Sequence, residues 1–232
     1  MHDHCDFDAS LKFGPLPAEY LPKIKLSIYA SMNSITDNLM NSIQKCRVCK
    51  TISGYEKFSK SSHGQLQAKY LLVSEAPGKA SLDREKYWTG VGGQILRSCM
   101  VEANTTLENL FYLTDIVKCW PNKNKKNRAP YHSEIENCSH FLTREIDELK
   151  PELILSFGKI VSSFLLNRDV KVKKEHGYLY DYSKETKILV LLHPTGIDRH
   201  MNRNIYTKQL TSMFKKLIEG ELNEIAEIFN SK

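Results

Sequence analysis

The sequence predicts an α/β fold, a three-layer α/β/α sandwich in which helices cover both faces of a central, mostly parallel sheet. Short apolar runs typical of buried strands alternate along the chain with segments of helical periodicity. The chain has 232 residues, 41% of them hydrophobic, which is enough for one medium domain with a substantial core. No internal repeat or low-complexity segment interrupts this order.

The expected elements follow one another from a first helix near residue 34 to a long amphipathic helix at the C-terminus. The strands are expected over 70–74, 110–117, 152–157, 178–182 and 187–192, the last two as a possible hairpin. The helices after the first are expected over 93–104, 133–149, 159–166 and 205–229. Residues 1–30 contain three prolines and little periodicity, so they are expected to extend a single domain over 31–232.

Two helix starts have specific capping predictions. Asn33 or Ser34 is the candidate cap of the first helix, which should end near Gln44. Ser133 and Glu136 have capping-box spacing at the start of the helix over 133–149.

Composition limits the protein classes to consider. No apolar run approaches the roughly 20 residues of a membrane-spanning helix, and the polar N-terminus MHDHCDFDAS does not resemble a secretory signal. We therefore expect a cytoplasmic protein without membrane contact. The net charge of +6 moderately favours a polyanionic partner, although solubility alone explains such a charge equally well.

One stretch, from Tyr70 to Met100, has the pattern of a binding pocket. An apolar strand, 70–73, breaks at Glu75-Ala76-Pro77-Gly78, and Trp88 with the glycine-rich segment 89–93 follows before the next helix. In open α/β sheets, ligands bind at the carboxyl ends of strands. The stretch therefore predicts a pocket, and the alternative is an ordinary strand-to-helix connection with an exposed Glu.

The cysteine pattern indicates a metal or cluster site. There are six cysteines, and without a secretory signal disulfides are not expected. Four of them combine a C-x2-C step with two distant residues, a set that suits zinc or a 4Fe–4S cluster: Cys46, Cys49, Cys119 and Cys138. The alternative is a set of scattered, buried cysteines.

Several motifs in the same order make the chain resemble the iron–sulfur uracil-DNA glycosylases of family 4, from about Cys46 to the C-terminus. They are Cys46-x2-Cys49, Glu75-Ala76-Pro77-Gly78, Trp88-Thr89-Gly90-Val91-Gly92-Gly93-Gln94, Tyr112-Leu113-Thr114-Asp115-Ile116-Val117-Lys118-Cys119, Asn127-Arg128-Ala129-Pro130, Cys138, Leu149-Lys150-Pro151-Glu152 and His193-Pro194. The resemblance implies a uracil-DNA glycosylase-like fold, a DNA substrate that is double- or single-stranded, and a monomer. It also implies a structural 4Fe–4S cluster on the four cysteines, with zinc as the alternative.

The resemblance assigns roles in base excision to residues of the predicted pocket. Trp88 corresponds to the aromatic residue that stacks on the flipped base, and backbone N–H groups around Ala76 and Gly78 are expected to bind that base. His193 corresponds to the donor that stabilises charge on the base O2. Glu75 corresponds to an acid that positions water or balances the positive sugar.

Two departures from the family pattern favour a different base. Asp115 replaces the Asn that reads the base edge, and an ionised Asp accepts from the cytosine amino group but repels O4 of uracil. Ser81 replaces a Glu, and Gly78 leaves space near C5 of the base. These positions suggest a C5-modified cytosine such as glucosylated hydroxymethylcytosine in phage DNA, and hence antiviral defence.

Two alternatives to that hypothesis remain open. One is a uracil repair glycosylase in which burial keeps Asp115 protonated. The other is a DNA-binding module that has lost catalysis. No Lys is placed for Schiff-base chemistry, so an active enzyme is expected to be monofunctional and to leave abasic sites intact.

Basic and apolar residues predict the DNA contacts. Ile197 or Met201 is the candidate wedge that fills the vacated base stack. Arg199 and Arg203 are candidate phosphate contacts in the same loop. A second phosphate-binding patch is expected on the basic loop over 122–128, at Lys123, Lys125, Lys126 and Arg128.

Overall fold

A five-stranded sheet forms the centre of the computed structural model, which describes residues 35–230. The predicted extension over 1–30 lies outside the described residues. The strands of the sheet are β1 (Tyr70–Ser74), β2 (Phe111–Asp115), β5 (Leu153–Phe157), β6 (Leu179–Asp181) and β7 (Lys187–Leu191). Their order is β2-β1-β5-β7-β6, and only β6 is antiparallel, pairing with β7 as the predicted hairpin.

Three predicted strands, β1, β2 and β5, are confirmed, and their sequences suit a sheet covered on both faces. Every residue of β1, β2 and β5 is buried, as expected of parallel strands between helical layers. The register places Ser74 opposite Asp115 at the carboxyl ends of β1 and β2. Polar residues of neighbouring strands therefore meet at one edge of the sheet.

Helices flank the sheet, and α3 packs on α8 while α1 packs on α5. The helices are α1 (Asp37–Lys45), α2 (Lys79–Leu82), α3 (Val91–Glu102), α4 (Leu107–Leu110), α5 (His132–Leu149), α6 (Lys159–Leu165), α7 (Val172–Glu175), α8 (Arg203–Glu219) and α9 (Ile225–Asn230). The predicted three-layer α/β architecture is confirmed. Among the described residues, no helix combines the length and apolar character that a membrane crossing requires.

The structure corrects the capping predictions and one helix length. Thr36 caps α1, with its hydroxyl oxygen accepting from the N–H of Leu39 at 3.2 Å. Tyr131 is the N-cap residue of α5, and its N–H donates to the Glu134 carboxylate at 2.8 Å. The helix predicted over 205–229 is divided into α8 and α9. Gly220 caps the end of α8 in the left-handed conformation, at φ +80°.

The basic loop contains structure that the sequence did not predict. Asn122–Lys123 (β3) and Lys126–Asn127 (β4) form a two-stranded antiparallel ribbon. Asn124 and Lys125 turn the chain between them, both with positive φ. Lys125 therefore lies at the tip of a defined turn rather than in a loose loop.

Candidate active site

A cavity of about 520 Å³ opens at the carboxyl edge of the sheet. Ser74 and Glu75 reach it from the end of β1, Asp115 from the end of β2, and His193 from the segment after β7. The cavity brings together eight residues that the sequence singled out: Glu75, Ala76, Gly78, Ser81, Trp88, Asp115, Arg128 and His193. Such a position at the strand ends is the usual ligand site of open α/β sheets.

Asp115 is the most deeply buried acid of the cavity, with 1% of its surface exposed. One carboxyl oxygen accepts a hydrogen bond from the Ser74 hydroxyl, while Oδ2 has no hydrogen-bond partner among the described residues. Burial raises the pKa of Asp115 to about 7, although the Ser74 hydrogen bond and the nearby Lys118 oppose the rise. A neutral carboxyl group is thus available to a ligand below pH 7.

A buried ionic network holds the backbone of Asp115 from behind. The Lys118 ammonium donates to the Asp115 carbonyl at 2.6 Å, to the Thr114 hydroxyl at 2.6 Å and to Glu145 at 2.5 Å. Tyr112 donates to the other oxygen of Glu145 at 2.9 Å. All three ammonium protons are satisfied, so the network fixes the end of β2 where Asp115 leaves it.

Glu75 provides a second carboxyl group to the same cavity. Its side chain is half-buried, and burial raises its pKa above the usual value. Its charge also contributes to the raised pKa of Asp115, which indicates that the two carboxyl groups are close enough to interact. Two acids with different burial can serve different roles in one site.

His193 presents a neutral imidazole to the cavity. Burial lowers its pKa to about 4, so the ring carries no charge at neutral pH. Its Nδ1 accepts from the backbone N–H of Thr195 at 3.1 Å, which leaves the ring proton on Nε2. His193 is therefore a neutral hydrogen-bond donor through Nε2.

The glycine-rich segment lets α3 approach the side of the cavity that His193 lines. A Cβ at Gly92 would lie 2.5 Å from Oγ1 of Thr195, and one at Gly93 would lie 1.9 Å from the Trp88 carbonyl oxygen. Trp88 has φ +59°, and its ring stacks on His193 with centroids 5.2 Å apart. Glycine at these positions is thus required by packing, and it sets Trp88 against His193.

Gly78 and Ser81, the two small residues predicted to leave space in the cavity, differ in their contacts. A Cβ at Gly78 would meet only the Asn127 amide nitrogen, at 3.6 Å, so the space beside it is open. Ser81 is buried, and its hydroxyl accepts from the N–H of Thr89 at 3.1 Å. Ser81 thus ties α2 to the glycine-rich segment in addition to lining the cavity.

Sequence reasoning gave no role to several lining residues, among them Phe58, Tyr87 and Asn127. Phe58 and Tyr87 stack with centroids 3.7 Å apart, and both are buried in the cavity wall. Asn127 accepts from the Trp120 indole at 2.8 Å and from the N–H of Lys79 at 3.1 Å, which turns its amide nitrogen toward Gly78. Tyr87 adjoins Trp88, and Asn127 begins the motif Asn127-Arg128-Ala129-Pro130, so both positions carried a sequence signal. Phe58 lies in a polar segment without such a signal.

A comparison with known protein families accounts for this arrangement. The model of the uracil DNA glycosylase superfamily matches residues 61–218, which is more than half of the chain. This chain belongs to the uracil DNA glycosylase superfamily. It is a DNA glycosylase whose cavity lies within the matched region, except for Phe58.

Individual relatives agree with that assignment. The glycosylase is 26% identical over 196 residues to the type-4 uracil-DNA glycosylase of Archaeoglobus fulgidus, covering 80% of this chain and 92% of the relative. It is 28% identical over 201 residues to the type-4 uracil-DNA glycosylase of Saccharolobus solfataricus, covering 84% of this chain and 87% of the relative.

The loop after His193 corrects one predicted DNA contact. Ile197 is 0% exposed and belongs to the core, so inserting it into DNA would require breaking that packing. Met201 is half-buried against the core and remains the candidate wedge. Arg199 is exposed, while Arg203 is exposed but paired with Asp198.

Arg128, a predicted phosphate contact, is paired with an acid of α5. Its guanidinium donates to both oxygens of the buried Glu134, at 2.5 and 2.7 Å, and lies 3.9 Å from the Tyr131 ring centroid. This pairing joins the basic ribbon to α5, and a phosphate contact by Arg128 stays a prediction. Lys125 is exposed at the ribbon tip and stays a predicted contact.

The four cysteines of the glycosylase lie near one another. Burial raises the pKa of Cys49 and Cys119, and it raises the pKa of Cys138 to about 11. The charge of at least one other cysteine of the four also raises the pKa of each of these thiols. The Cys138 sulfur accepts from the Lys118 N–H at 3.2 Å. Within residues 35–230, no three His, Cys, Asp or Glu side chains form a compact site for a single metal ion.

Proposed function

We propose that this DNA glycosylase removes uracil from DNA by hydrolysing the N-glycosidic bond and leaving an abasic site. The observation that carries the proposal is the convergence of Asp115, Glu75 and His193 on one cavity at the strand ends. The similarity to type-4 uracil-DNA glycosylases supports the choice of uracil. A flipped nucleotide would bring its base edge to Asp115 and its sugar toward the cavity mouth.

The proposed reaction uses the two groups on either side of the glycosidic bond. Nε2–H of His193 donates to O2 of the base, which takes up negative charge as the bond between C1′ and the base nitrogen breaks. Water adds to C1′, and Glu75 accepts its proton or balances the positive sugar. The electron pair of the broken bond leaves with the base, and the product is an abasic sugar.

Asp115 suits uracil when its carboxyl group is neutral. Uracil presents a donor at N3 and an acceptor at O4, so a carboxylic acid can accept from the first and donate to the second. The orphaned, buried Oδ2 provides a polar atom for this contact. An ionised Asp115 has no proton to donate and repels O4.

The pH dependence of uracil excision is expected to follow Asp115. Because the neutral form is needed and the pKa is about 7, the rate should fall as pH rises through about 7. The Asp115→Asn variant keeps a donor and an acceptor without titrating, so its rate should not show this fall with rising pH. Initial rates between about pH 5 and about pH 9 measure it. Asp83→Asn, an exposed acid that does not line the cavity, should retain the native profile; an unchanged profile in Asp115→Asn would contradict the assignment.

A C5-modified cytosine is the second candidate substrate, favoured by the space beside Gly78. The Asn127 amide nitrogen borders that space and has no partner among the described residues, so it can donate to a hydroxyl on C5. A neutral Asp115 also complements cytosine, donating to N3 and accepting from the amino group. Glucosylated hydroxymethylcytosine in phage DNA would fit these features, and the biological role would then be antiviral defence.

One panel of substrates separates these possibilities. Single- and double-stranded oligonucleotides containing uracil, cytosine, hydroxymethylcytosine or glucosylated hydroxymethylcytosine are incubated with the protein and treated with alkali, which cuts at abasic sites. Cutting at uracil supports the main proposal, and cutting only at a modified cytosine supports the second. No cutting of any substrate would favour a DNA-binding module without catalysis.

We also propose that Cys46, Cys49, Cys119 and Cys138 hold a 4Fe–4S cluster with a structural role. Hydrogen bonds to sulfur favour thiolate ligands, and here the N–H of Lys118 and the amide of Asn137 point to Cys138 and Cys49. In a 4Fe–4S cluster each iron takes its own cysteine, so the four cysteines would provide a complete ligand set. The cysteines come from α5 and from segments beside α1 and β3, so a cluster would join these elements.

The cluster predicts a brown protein containing about four iron atoms per chain. Replacing Cys119 with Ser should lower the iron content and the visible absorption. Cys99→Ser is the matched control, because Cys99 is buried but donates to the Thr207 carbonyl, away from the four cysteines. Metal analysis of both variants decides the point, and a colourless native protein with stoichiometric zinc would reverse it.

A further inference from the structure

A second cavity, of about 470 Å³, adjoins the base cavity at the same edge of the sheet. His193 and Thr195 line both cavities and form the partition between them. The second cavity extends from the segment after β5, at Gly158 and Lys159, to α7. A DNA strand whose target nucleotide occupies the first cavity would therefore have the second cavity beside it.

The surroundings of this second cavity are strongly basic. Residues 159–175 contain five Lys or Arg and two Asp or Glu, giving a net charge of +3 against +6 for the whole chain. Four of these lysines line the cavity: Lys159, Lys171, Lys173 and Lys174. Such a concentration of charge in a concave surface attracts a polyanion.

Two of the four lysines are available for a ligand. Lys159 and Lys171 both pair with Asp169, at 2.6 and 2.7 Å. Lys173 and Lys174 are exposed, and among the described residues neither has a carboxylate partner. Their charges are uncompensated next to an open cavity, as expected of lysines that bind phosphate.

The floor of the second cavity is apolar. Val170, Val172 and Leu192 are buried there, beneath the basic rim. An apolar floor with a cationic rim matches a nucleotide, whose base and sugar pack on apolar groups while its phosphate meets cations. A phosphate alone would not need the apolar part.

We propose that the second cavity binds the nucleotide next to the flipped one on the same DNA strand, with Lys173 and Lys174 contacting its phosphate. The proposal rests on the proposed function, since it takes the first cavity as the base pocket. The two nucleotides would lie on opposite sides of His193. The protein would then contact the DNA backbone on both sides of the bond that breaks.

A lysine double variant tests the proposal. Lys173→Ala/Lys174→Ala is compared with Lys208→Ala/Lys215→Ala, a control pair on α8 whose lysines are exposed and line neither cavity. Binding of an unmodified single-stranded oligonucleotide is titrated between about 50 and about 200 mM salt. The cavity variant should weaken binding severalfold and reduce the slope of log K against log salt by about 0.7, since each phosphate contact on a single strand contributes about 0.7 and the two lysines are assigned one phosphate.

Substrate length gives the second readout. Substrates are shortened by removing all nucleotides on the 5′ side or on the 3′ side of the target base. For the native protein one of the two truncations should raise KM, and for the cavity variant that same truncation should have no effect. A cavity variant with native slope and native length dependence would overturn the proposal, as would an equal loss in the control pair. The salt titration needs no chemistry, so it stays decisive for strand binding if no base is excised and the proposed function fails.

Discussion

Replacing His193 with alanine is expected to lower kcat for base excision by about 10²–10³, with little change in KM. The loss of one donor to a developing oxyanion costs about 2.7–4 kcal/mol of transition-state stabilisation. The neutral state of His193 and the bond from Thr195 to Nδ1 place a proton on Nε2 before the substrate arrives. A donor that is already oriented acts mainly on the transition state, so the effect appears in kcat.

Single-turnover kinetics measure this step separately from product release. His132→Ala is the control, because His132 is exposed at the start of α5 and lines neither cavity. Circular dichroism should show native folding for both variants. A kcat within about threefold of native in His193→Ala, roughly 0.6 kcal/mol, would remove His193 from the reaction.

The site residues at strand ends could be predicted because sheet geometry fixes them. Glu75 and Asp115 each follow an apolar run, and parallel strands bring their carboxyl ends to one edge. The burial of Asp115 was harder to anticipate, since it depends on the side chains that surround the cavity. The alternative of an Asp kept neutral by burial agrees with its raised pKa.

The surroundings of some side chains could not be predicted, because their partners are distant in sequence or because packing sets their environment. Ile197 follows a glycine in a polar loop and resembled an exposed wedge, yet the loop folds it into the core. Arg128 resembled a loop charge, but the start of α5 supplies Glu134 as its partner. The second cavity was missed although its cluster of lysines was visible, because no motif marked it.

Removing the charge of Glu145 is expected to destabilise the protein by about 3–5 kcal/mol. In Glu145→Gln the Lys118 ammonium, 3% exposed, would remain buried without its counter-ion, which is the costly way to break a buried pair. Urea unfolding of the protein as purified measures the change in free energy. Glu136→Gln on the same helix, an exposed residue paired with His132, should change it by less than about 0.5 kcal/mol.

The double variant Lys118→Met/Glu145→Gln separates a lost charge pair from lost packing. Removing both charges leaves the Gln oxygen to accept from Tyr112, so the double variant should be more stable than Glu145→Gln alone. Equal stability of the two variants would mean that the uncompensated ammonium is not the cause. Since Lys118 also donates to the Asp115 carbonyl, the double variant should recover stability but not the native base preference. Such a split would show that the network fixes the base-reading edge of the cavity as well as the fold.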